Sequence, residues 1–99
     1  MEKEQVNKIL TDLRDEGKCH FSSHDFIRKF AESYEREYIS MLWEKKDTIH
    51  PFQVVHSQIG LELERMQNSC DVHFTKDNRI YSENIFGKKD EVQSWILKR

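Results

Sequence analysis

The stretch Ser22-Ser-His-Asp-Phe-Ile-Arg-Lys-Phe-Ala-Glu-Ser-Tyr-Glu-Arg-Glu-Tyr-Ile-Ser-Met-Leu-Trp-Glu-Lys-Lys46 decides how the rest of the chain is read. Phe26, Phe30, Tyr34, Tyr38 and Leu42 recur every four residues, and Ile27, Ala31 and Met41 widen the stripe. This periodicity predicts one long amphipathic helix. Ser22 or Ser23 can cap its start, and Asp25, three residues after Ser22, makes a capping-box-like pair. Arg28, Lys29, Glu32, Glu35 and Arg36 fall mostly on the opposite side. So large an aromatic stripe has to be covered by the remaining chain.

Upstream, Val6, Ile9, Leu10 and Leu13 give a first helix over 2–16, with Gly17 as its left-handed terminator. Lys18 to Phe21 is too short for a helix and reads as a brief strand, Cys19 and Phe21 facing one way. Downstream, Pro51 suits the first position of a third helix over 51–68. Phe52, Val55, Ile59, Leu63 and Met66 mark its core face, leaving Val54 and Leu61 as apolar residues on the outer face. Gly60 costs ~1 kcal/mol against alanine in mid-helix, and close backbone contact with the long helix is its expected reason. From Cys70 the period becomes two. Strands over 71–75 and 80–86 flank a turn at Lys76–Arg79, in which Asp77 and Asn78 tolerate positive φ. Asp90 then caps a short closing helix that docks Val92, Trp95 and Ile96 on the core.

With 99 residues, 34% charged and 36% apolar, the chain is expected to be a single domain spanning 1–99. A formal net charge of −2 supplies no global basic field to attract nucleic acid, and only the C-terminal quarter leans basic. Two cysteines make no disulfide framework. The polar start and the absence of any run of about 20 apolar residues point to a reduced, cytoplasmic protein without a membrane partner.

The order helix, strand, helix, helix, hairpin and terminal helix resembles the winged helix-turn-helix arrangement. The resemblance rests on residues 2–16, Cys19–Phe21, 23–46, 51–68 and 71–86, and on no diagnostic motif. It implies an α+β, winged-helix-like fold: three helices with a long second helix, a C-terminal β-hairpin and a short closing helix. It also implies that 51–68 is the recognition helix and Lys76–Arg79 the tip of the wing. Two features depart from the family: the second helix is much longer than usual, and 51–68 carries Arg65 against Glu62 and Glu64.

Cys19-His20 with His24, and Cys70-x-x-His73, have ligand-like spacing, and together could present a zinc-type set. Each is equally accounted for as an ordinary strand or cap residue, so neither metal nor cofactor is expected. No glycine-rich phosphate loop and no His-Glu-x-x-His occurs, and Glu62 and Glu64 diverge on a helix, so neither an enzyme nor a small-molecule substrate is expected. The candidate phosphate contacts are Lys76, Arg79, Lys88, Lys89 and Arg65. Val54, Leu61 and Trp43 are the candidate protein contacts, because apolar surface left exposed marks partner sites. By fold analogy the sequence reads as a small regulator binding duplex DNA. By charge it reads as a self-associating protein-interaction module, a homodimer or a binder of another protein.

Overall fold

The computed structural model describes residues 1–98. Its architecture is α+β, with elements in the order α1 (Lys3–Asp15), β1 (His20–Ser22), α2 (Ser23–Ser33), α3 (Glu35–Glu44), α4 (Pro51–Arg65), β2 (Phe74–Lys76), β3 (Ile80–Glu83), β4 (Lys89–Val92) and β5 (Ser94–Leu97). No helix among the described residues is long and apolar enough to cross a membrane.

Val6, Ile9, Leu10 and Leu13 of α1 are fully buried. Gly17, at φ +80, closes α1: the Lys18 N–H donates to the Leu13 carbonyl and the Gly17 N–H to the Arg14 carbonyl. This is the left-handed termination that a glycine allows at no steric cost. The α2 start is the capping box expected at Ser22. Its Oγ accepts from the Asp25 N–H at 3.1 Å, and Asp25 Oδ2 accepts from the Ser22 N–H at 2.9 Å.

The long helix over 22–46 is not one helix. It breaks at Tyr34 (φ −127, ψ 54) into α2 and α3. A four-residue repeat overshoots a turn by roughly 40° per step on a 100° helix, so across four steps the stripe winds roughly 160° around the axis. A straight helix would carry Tyr38 and Leu42 away from the core that holds Phe26 and Phe30. The break re-aims the chain: Phe26, Ile27 and Phe30 are buried in α2, and Tyr38 in α3.

The closing helix is also absent. Residues 89–97 form β4 and β5, and β5 is the central strand of an antiparallel sheet in the order β1-β5-β2. Phe21 pairs with Trp95, and Phe74 with Leu97. Phe21, Phe74, Trp95 and Leu97 therefore share the inner face, against α1, α2 and α4, while His20, Thr75 and Ile96 share the outer one. A helix at 94–97 would have left two three-residue strands without a partner, and strands that short are not stable alone. Trp95 stacks edge-on to Phe74 at 5.5 Å and donates its indole N–H to Ser23 Oγ at 3.2 Å.

The expected hairpin is re-paired as well. β2 joins β5, and β3 instead pairs with β4, from Ile80–Val92 to Glu83–Lys89. The turn is Asn84–Lys88, not Lys76–Arg79. Asn84 Oδ1 accepts from the Phe86 and Lys88 N–H groups at 2.9 and 3.0 Å, and Gly87 takes φ +78. Asp77 and Asn78 keep negative φ and are held by the strand end, the Asp77 N–H donating to the Ser94 carbonyl at 3.0 Å.

Candidate functional site

α4 and the β3–β4 hairpin form the two sides of a groove of about 730 Å³, floored by the start of α2. Phe52 of α4 and Phe86 of the turn meet edge-to-face at 4.9 Å and bridge it. Phe52, expected in the core, is instead an exposed contact between helix and hairpin. His24 Nδ1 is 2.9 Å from the Ser82 carbonyl oxygen, and the Arg28 guanidinium donates to the Asn84 carbonyl at 3.0 Å, so α2 also holds the hairpin. His56 faces the groove from α4. Its pKa is lowered, first by burial and then by the proximity of His24.

A second, shallower groove of about 720 Å³ lies on the outward side of α4, lined by Val54, Leu61, Arg65 and the incoming loop at Ile49. Val54 is 37% exposed, Leu61 54% and Ile49 90%. This brings together two of the three expected protein contacts. Trp43, 69% exposed at the end of α3, lines neither groove, and Lys46 Nζ sits 5.1 Å over its ring. Ile49 escaped the sequence reading because loop residues have no periodicity to assign them a face.

The five candidate phosphate contacts separate into two groups. Lys76 is ion-paired with Glu64 of α4. Arg79 donates to the Glu91 carbonyl at 2.9 Å and has Glu91 Oε1 3.7 Å from its Nε. Lys88 and Lys89 at the hairpin turn, and Arg65 at the end of α4, have no ion pair among the described residues, although Lys89 sits in register with Glu83. Glu62, on the same flank of α4, keeps its Oε2 buried without a hydrogen bond, 3.6 Å from the Met1 nitrogen.

Gly60 does not touch the long helix. A Cβ built there would meet nothing within 4 Å. The expected backbone contact is absent, and no packing within the chain calls for a glycine at that position.

The histidines and cysteines find separate partners. His20 Nε2 lies 3.1 Å from Ser94 Oγ and 3.2 Å from Asp77 Oδ2, His24 bonds to the hairpin backbone, and His73 is exposed. Cys70 is buried, which pushes its thiol pKa up, and no disulfide joins it to Cys19. Among the described residues, no group of three or more His, Cys, Asp or Glu side chains is placed to hold a metal ion.

Comparison with known proteins found no matching family model, no matching curated protein and no matching solved structure.

Proposed function

We propose that this chain is a protein-interaction module of winged-helix type that docks through the outward face of α4. The fold half of this reading is supported by the order helix, strand, helices, strand, hairpin, strand and by the β1-β5-β2 sheet. The observation that carries the function is the apolar group Ile49, Val54 and Leu61, exposed side by side beside the helix that would otherwise read a DNA groove. Apolar surface of this kind marks partner sites. Duplex recognition would need several free cations along the same helix, and α4 carries Arg65 beside Glu62 and Glu64, of which Glu64 also engages Lys76 of β2.

Duplex DNA is the second reading, favoured by one observation: Lys88, Lys89 and Arg65 keep their charges without an ion pair among the described residues. Three cations predict weak binding, with log K falling by roughly 0.9 per phosphate neutralised for each unit of log salt. One titration of labelled duplex, at low and high salt, decides between the two. The module reading expects no duplex binding at low salt. Salt-sensitive binding that drops when Lys88 and Lys89 are changed to glutamine would overturn it.

A further inference from the structure

We propose that the groove between α4 and the β3–β4 hairpin binds a small phosphate ester with an apolar body. The site lies on the hairpin side of α4 and is independent of the outward docking face.

The groove holds about 730 Å³, inside the range of about 300–1,000 Å³ in which small-molecule sites fall. Its charge runs against that of the whole chain. The chain has a formal net charge of −2. The groove nevertheless gathers Arg79 beside β3, Lys88 at the turn, and His24, His50 and His56, with Asp90 as the carboxylate among the described residues that line it. Lys88 has no ion pair among the described residues, whereas Arg79 shares its guanidinium with Glu91. The first turn of α4 opens on the same space, with no acidic residue in it and no side-chain cap. Nitrogen donors arriving from α2, α4 and the hairpin suit a phosphate, with three terminal oxygens and up to two charges, better than a carboxylate with two oxygens and one charge.

The remaining walls are apolar. Ile27 and Val92 line the groove, and the exposed rings of Phe52 and Phe86 bridge it. An ester with an apolar body would cover them.

Gly60 gives the third observation. His56 and Gly60, four residues apart, turn one side of α4 to this groove and line none of the outward one. A Cβ at Gly60 would meet nothing within 4 Å, and the open space beside it is the groove. A mid-helix glycine destabilises a helix relative to alanine, and packing within the chain gives no reason for one there. A ligand seated against the α4 backbone gives it.

The experiment is an amide-resolved NMR titration of the full chain with phenyl phosphate. The expected result at low salt is saturable, submillimolar binding, with shifts concentrated at the Gly60 and Lys88 amides. Inorganic phosphate lacks the body and benzyl alcohol lacks the charge, and each should bind at least tenfold more weakly. Lys88→Gln should weaken phenyl phosphate several-fold. Gly60→Leu, which fills the groove, should weaken it at least tenfold without lowering the urea midpoint. An absence of shifts at several millimolar phenyl phosphate overturns the site, and binding unchanged in both variants places the ester elsewhere and overturns it too. Benzyl alcohol binding as tightly as phenyl phosphate overturns the anionic ligand, and inorganic phosphate doing so overturns the apolar body. A labelled duplex that displaces phenyl phosphate at low salt assigns these cations to a nucleic-acid backbone and overturns the small ester.

Discussion

Tyr38 Oη lies 2.6 Å from His56 Nε2, a hydrogen bond that ties α3 to α4 just after the chain has broken at Tyr34. The two rings stack at 5.8 Å, with 19° between their planes. Burial lowers the His56 pKa and raises that of Tyr38, so at neutral pH the bond joins an uncharged imidazole to an uncharged phenol.

That pairing sets a pH dependence. The folded-state pKa of His56 lies below the unfolded value of about 6.5, so in the window beneath that value the unfolded chain binds more protons. The His56 contribution to stability is therefore complete above pH about 6.5 and is lost as pH falls towards the folded pKa. Tyr38 acts at the other end, its contribution being lost as pH rises above about 10. Urea midpoints measured from neutral to mildly acidic pH should fall, and His56→Gln should flatten the curve. An equal slope in the variant would assign the effect to another group.

Phe30 is fully buried in α2, with the Tyr34 ring 5.8 Å away. Phe30→Ala removes a large core side chain and should cost ~3–5 kcal/mol in chemical denaturation. A midpoint that barely moves would mean that α2 turns another face to the core.

Ser22 caps α2 and its Oγ also lies 2.8 Å from Ser82 Oγ, joining the helix start to the hairpin. Ser22→Ala leaves the Asp25 N–H and the Ser82 hydroxyl without their partner in a buried place and should cost ~1–2 kcal/mol. Ser22→Thr should keep most of the capping bond. Equal losses in the two variants would show that packing, and not capping, governs the site.

Gly60→Ala should raise stability by up to about 1 kcal/mol, because the added Cβ meets nothing and alanine is the better helix former. The check is the urea midpoint of the variant against that of the parent chain. A lower midpoint would contradict the open surroundings of that residue.

The sequence by itself determined the elements whose apolar pattern is local. The faces of α1 and of α4 at Val55, Ile59 and Leu63 follow from 3.6-residue spacing. The Ser22 cap and the Gly17 stop follow from side-chain and backbone chemistry within a few residues. Val54 and Leu61 could be placed outside for the same reason. Only the tertiary structure decided where local preference is weaker than pairing or packing. Residues 94–97 carry a pattern compatible with a helix, but β1 and β2 both need a central strand, and long-range hydrogen bonds outweigh a short helix's propensity. The break at Tyr34 depends on what covers the far end of the stripe. The charges of Lys76 and Arg79 depend on which carboxylates the fold brings beside them, Glu64 from another element and Glu91 from the strand paired with β3. Spacing along a chain shows which way a side chain points on its own helix or strand. It does not show which distant side chain will stand opposite, and that juxtaposition decides which of this chain's surface groups remain available to a partner.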